Sequence, residues 1–192
     1  MTYSEYRILM ENLVANKKAT GTVQDEARIN YTLLNHQRMK RLDKKGAIAE
    51  EQAAIIKANT TPTKWVVLTE SWCGDAAQIL PYINKVAELN PHIELEILLR
   101  DENLELMDAH LTNGGRAIPK LIAFNKVNNT VIGEFGPRPS EATKMVADYK
   151  AKHGAVTDEL KKDLQVWYTK NKGVNIVTDL IKAVIKPLKV TA

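Results

Sequence analysis

The chain has 192 residues, 44% hydrophobic and 26% charged, with a formal net charge of +4. That length allows one compact domain with additions, and that composition is ordinary for a folded water-soluble chain. The basic excess is scattered in short runs, Arg38–Arg41, Lys44–Lys45 and Lys161–Lys162; these read as solvated helix faces and not as a nucleic-acid stripe.

The first segment, residues 3–57, reads as helical. Tyr6, Leu9, Leu13 and Val14 repeat at helical spacing, Gly21 marks a break, and Ile29, Leu33, Leu34 and Met39 to Leu42 continue a looser apolar series. "AIAEEQAAIIKAN" predicts a third, shorter helix, and "TTPT" at 60–63 ends the segment. The pattern then changes to the β-branched run "KWVVLTE", a buried strand at 64–69. Asp75–Leu89 predicts a helix, "HIELEILLR" a strand with alternating Ile93, Leu95 and Ile97, and residues 103–110 a short helix. After the loop "TNGGRAIP", "KLIAF" and "TVIGEF" predict two strands of a hairpin around the Asn-rich "NKVNN". Gly136-Pro137 breaks the chain, and a helix is expected over 139–152, capped at Ser140.

The order from 64 to 152 is strand, helix, strand, helix, strand, strand, helix. It predicts an α/β fold with a small mixed central sheet flanked by helices. Two further helices follow. One carries Leu160, Leu164, Trp167 and Tyr168 on a face; the other spans "GVNIVTDLIKAVIK", with Val177, Leu180, Ile181, Val184 and Ile185. The expected organisation is a helical extension at 1–59, a core at 60–152 and a helical extension at 153–192, packed as one unit. There is no long apolar run for a membrane span and no signal-peptide pattern, so the expected address is the cytoplasm.

The chemistry centres on "ESWCGDAAQILP". Cys73 is the only cysteine, so no internal disulfide can form. The four histidines show no ligand spacing, and neither a metal nor a cofactor is implied. Trp72-Cys73-Gly74 follows the first core strand and opens a helix, Pro81 lies eight residues after the cysteine, "GGRAIP" ends at Pro119 before an apolar strand, and Phe135-Gly136 closes the hairpin. In that order and register these features resemble the thioredoxin family over about 90 residues. The resemblance implies a thioredoxin-like fold with extra N- and C-terminal helices. It also implies a cis proline at Pro119, next to Ile118 and beside Cys73. The flanking helices are similar to those of small bacterial thioredoxin-like proteins.

Four positions depart from that pattern. Ala76 stands where the resolving cysteine would be, and Asp75 replaces the usual proline. Val67 and Ile97 stand where the family's buried acid and its lysine are expected. Acid, lysine and second thiol are gone together, so efficient dithiol reduction of disulfides is not expected. The helix N-terminus favours a Cys73 thiolate, whereas Asp75 opposes it if it faces the sulfur; the balance predicts modest activation of an exposed thiol.

Three functions fit these residues. Cys73 can act as a monothiol, exchanging with a protein or a low-molecular-weight thiol or disulfide, or be oxidised to sulfenic acid. The groove between Trp72, the Cys73 loop and Ile118-Pro119 can serve as a redox-inactive binding module for an extended peptide. A glutaredoxin-like role with glutathione or an iron–sulfur cluster is opposed by Trp72 and by the absence of a Gly-Gly-Cys-Asp type of run at Gly133–Pro137. Arg116 is expected as an exposed loop residue able to help bind an anion or partner. Lys120 stands where the family prefers a small polar residue.

Overall fold

A computed structural model describes residues 1–185. The expected extension at 153–192 is thus described only as far as Ile185, and its last residues, from Lys186, lie outside the described residues.

Among the described residues four strands make one sheet in the order β2-β1-β3-β4: β1 is Thr63–Thr69, β2 Ile93–Leu99, β3 Lys120–Asn125 and β4 Val131–Phe135. β1 pairs parallel with β2 and antiparallel with β3, and β3 pairs antiparallel with β4. β1 lies inside the sheet, which is why its apolar run is continuous: Trp65, Val67 and Leu68 are wholly buried. The Asn-rich hairpin turn forms as its composition dictates. The side chains of Asn125 and Asn128 accept from the backbone N–H groups of Val127 and Thr130, and Asn129 takes a left-handed conformation.

Three helices precede the sheet: α1 (Tyr3–Ala15), α2 (Glu26–Lys45) and α3 (Glu50–Lys57). Thr2 and Glu5 form a reciprocal capping box on α1, and Asp25 caps α2. Between the strands lie α4 (Gly74–Glu88), which contains Pro81, and the short α5 (Leu104–Ala109). Then come α6 (Ser140–His153), α7 (Asp158–Asn171) and α8 (Val174–Leu180), followed by a π-turn at Ile181–Ile185. The mixed sheet with helices around it is the expected α/β architecture, and the extra helices are present at both ends.

The flanks share the main core. Tyr6 and Met10 of α1, Met39 of α2, Ile56 of α3, and Ile176, Val177 and Leu180 of α8 join the same apolar cluster as the sheet. A second, small cluster also exists. Ala142 and Val146 of α6 pack with Leu160 and Leu164 of α7, apart from that core.

Two details differ from the sequence reading. Ser140 does not cap α6: Pro139 holds the cap position, Ser140 is the first helical residue, and its N–H donates to Asp179 Oδ2 at 2.6 Å. In α2 the buried face matches the apolar series only in part, at Met39. Leu33 and Leu34 are exposed, whereas Thr32, Asn35, His36 and Met39 are buried. Thr32 and Asn35 are buried because they bond the Ser71 hydroxyl and carbonyl, while Met39 enters the apolar core.

Candidate functional site

Cys73 ends the loop after β1 and occupies the N-cap of α4. Its N–H donates to Glu70 O at 3.1 Å, closing a turn. Its sulfur accepts from Ala76 N–H at 3.4 Å, as a cap should, and its thiol donates to the Ile118 carbonyl at 3.3 Å. Cys73 is 9% exposed. Burial, and then the Asp75 carboxylate, push the thiol up to about 12; the N–H groups of Ala76 and Asp75 work against them. The expectation of an exposed, modestly activated thiol is therefore corrected. Desolvation of the charged form outweighs the helix end.

Asp75 neither faces solvent nor caps the helix. Its Oδ1 accepts from the Tyr168 hydroxyl at 2.9 Å, and its Oδ2 pairs with Arg138 Nη2 at 2.6 Å. Burial raises the carboxyl, opposed by Arg138 and Tyr168. Burial and the same carboxylate raise the Tyr168 phenol.

The loop's other face is held by the N-terminal helices. Ser71 Oγ accepts from Thr20 N–H at 2.9 Å and bonds the Thr32 hydroxyl at 2.8 Å; Ser71 N–H donates to Thr20 Oγ1 at 2.9 Å. Asn35 donates to the Ser71 carbonyl at 2.9 Å. Two guanidiniums lie over the Trp72 ring, Arg28 at 4.8 Å and Arg100 at 5.2 Å from its centroid. A Cβ at Gly74 would lie 3.6 Å from Arg38 Nη1 and 3.8 Å from Gln165 Nε2, so α2 and α7 both sit over the start of α4.

On the remaining side lies the Ile118-Pro119 cis peptide. Ile118 is 8% exposed, and Ala76 is buried behind the sulfur. Lys120, which sequence left without a role, is buried and ion-pairs with Glu134 Oε2 at 2.5 Å; Glu134 Oε1 meets His110 Nδ1 at 2.6 Å. Arg116 is exposed and forms a two-pronged bond with Asp108, so its charge is already partnered. The structure thus brings Trp72, Cys73, Gly74, Asp75, Ala76, Ile118 and Pro119 together and leaves Arg116 out on the loop.

Sequence reasoning missed Ser71, Thr20, Thr32, Asn35, Arg138 and Glu134. A lone arginine after a Gly-Pro break carries no pattern. The polar interruptions of the α2 apolar series were the one available signal for Thr32 and Asn35. Glu70 was missed too. It is buried, and its Oε1 accepts from Asp101 N–H at 2.9 Å; burial pushes its carboxyl up.

A protein of unknown function from Pseudomonas aeruginosa superposes with a TM-score of 0.58 at 16% identity, covering 94% of this chain and 95% of that one. An HIV epitope-scaffold superposes with a TM-score of 0.54, also at 16% identity, over 94% and 96% of the two chains. At that identity the likeness shows the fold alone. No curated protein matches the chain at a significant level. A thioredoxin family model matches residues 21–150, a stretch that includes α2, α3 and the whole sheet. That stretch is well over half of the 192 residues, and the chain belongs to the thioredoxin family.

Proposed function

We propose that this protein is a redox-silent thioredoxin-fold module at rest, a binding protein built on the groove beside Pro119 in which Cys73 is kept as a neutral thiol. One observation carries the reading: the Cys73 thiol is buried and spends its proton on the Ile118 carbonyl at 3.3 Å. An exchange nucleophile would need to be a thiolate, and an extended peptide would have to displace the thiol from that carbonyl to reach the backbone edge. Burial and Asp75 both oppose the thiolate. The test is the pH dependence of Cys73 alkylation in the native protein. Slow alkylation up to pH 9, becoming fast on unfolding, is expected. A native thiol that titrates at or below the free-cysteine value of about 8.5 overturns the reading.

A second reading is supported by Ala76 N–H, which points at the sulfur at 3.4 Å. This cap geometry would stabilise a thiolate once the surroundings opened to water. Monothiol exchange with a protein or low-molecular-weight disulfide would then be possible at Cys73, with release by an external thiol because Ala76 cannot resolve the mixed disulfide.

A further inference from the structure

The cover over Cys73 has its own small core and a polar attachment. Leu160 and Leu164, on the buried side of α7, do not pack on the sheet; they close against Ala142 and Val146 of α6. Trp167 touches both this cluster and the main core, and Tyr168 is the one wholly core-directed apolar anchor of α7. The hairpin of α6 and α7 is bounded on one side by Gly136 (φ +117°) and on the other by Lys172 and Gly173 (φ +52° and +84°). These are backbone positions outside the helical region, and they mark the two ends of the hairpin.

Polar bonds fasten the hairpin to the first turns of α4. Tyr168 donates to Asp75, Gln78 donates to Gln165 at 2.8 Å, and Arg138, just before α6, pairs with Asp75. At the hinge end, Ser140 N–H donates to Asp179. Tyr168 is 4% exposed. Separating the hairpin from α4 breaks the Tyr168 and Arg138 contacts to Asp75 in one step, so these bonds let go as a set.

We infer that α6 and α7 form a lid with its own core, latched through Tyr168 and Arg138 to Asp75, and that the lid opens as a unit to uncover Cys73 and the Ile118-Pro119 edge. The inference rests on the reading of Cys73 as a thiol masked at rest. It gives that reading a moving part: one carboxylate, placed where the family has proline, both suppresses the thiolate and holds the cover down.

The test uses the full chain and the native-state rate of Cys73 alkylation by iodoacetamide. Tyr168→Phe keeps the ring and removes the latch hydroxyl. It is expected to alkylate about tenfold faster than the wild type, the factor expected for one lost hydrogen bond to a charged group. Tyr149→Phe removes a hydroxyl that bonds Thr157 inside the hairpin and should leave the rate unchanged. Hydrogen exchange in Tyr168→Phe should quicken across 140–171 before it quickens in β1. Should Tyr168→Phe lower global stability, Gln165→Ala reads the same attachment through Gln78. The lid is overturned if the latch variants alkylate no faster than the wild type, or if 140–171 exchanges only in step with β1. Fast alkylation of the wild type itself would instead overturn the masked-thiol reading, so the two failures are distinguishable.

Discussion

Lys120 and Glu134 form an ion pair directly beneath the loop that ends in Pro119, with the lysine side chain only 6% exposed. A buried ammonium needs such a partner, because its desolvation is otherwise uncompensated. The glutamate is 34% exposed, so water screens the pair. Glu134→Gln should therefore cost less than a fully buried pair, about 1–2 kcal/mol in urea unfolding at pH 7. The pH dependence has a definite sign. Burial works to raise the Glu134 carboxyl, but hydrogen bonds from Lys120 and His110 outweigh it and hold the group below its usual range. The folded state thus binds that proton less tightly than the unfolded chain. The stability it contributes is present above the ordinary glutamate value of about 4.3 and is lost as pH falls through the lower folded value. In Glu134→Gln the acid limb of the stability curve should be shallower; an identical limb would show that the pair contributes nothing.

Ser71 joins the N-terminal helices to the Cys73 loop. Its hydroxyl is the shared partner of Thr20 and Thr32, and all three residues are buried. Ser71→Ala leaves the Thr20 N–H and the Thr32 hydroxyl short of a partner, at a cost of about 1–3 kcal/mol. The urea midpoint should fall with the slope unchanged, and protease nicking near Thr20 should appear at lower urea than in the wild type. An unmoved midpoint would mean that water or a shifted side chain replaces the hydroxyl.

The central sheet was legible because its signals are local. β1 and β2 are written as runs of β-branched and apolar residues, and the hairpin as a cluster of asparagines. The Trp72-Cys73-Gly74 motif and Pro119 marked the candidate site. What surrounds the site was not legible, because burial of Cys73 depends on contacts between segments far apart in the chain. Tyr168 and Asp75 are 93 residues apart, and Thr20 and Ser71 are 51 apart. The burial of Cys73 is not written in its motif for the same reason: a motif specifies its own turn, not the helices that close over it. In α2 the apolar series holds at Met39 but not at Leu33 and Leu34, since Thr32 and Asn35 are buried for their hydrogen bonds and not for hydrophobicity.

Gly133 shows how the outer edge of the sheet is closed. The π-turn at Ile181–Ile185 lies so near β4 that a Cβ at Gly133 would stand 1.9 Å from the Ala183 carbonyl oxygen. An edge strand is thereby covered, which protects it from pairing with another chain. Gly133→Ala must push the turn away from β4. It should lower stability by about 1–3 kcal/mol in thermal or urea unfolding, and should speed hydrogen exchange in 174–185 more than in β1. Equal exchange in both segments would argue that β4 yields instead of the turn.

Val67 and Ile97 are direct neighbours in the parallel register of β1 and β2, and both are wholly buried. They stand together where the family resemblance places an acid and a lysine, so the second proton-transfer group of a dithiol site is missing as a pair and not by a single change. Ala76→Cys tests whether the second thiol alone can restore reductase chemistry. Ala76 is 2% exposed, so the added sulfur must be fitted into packed space. It would also lack the acid and lysine that the family resemblance places at 67 and 97, and burial and Asp75 push the thiol of its partner Cys73 up. Insulin reduction with thioredoxin reductase should therefore stay far below ordinary thioredoxin rates in Ala76→Cys as in the wild type. Ordinary rates from this one substitution would show that neither the apolar pair at Val67 and Ile97 nor the cover over Cys73 limits the site.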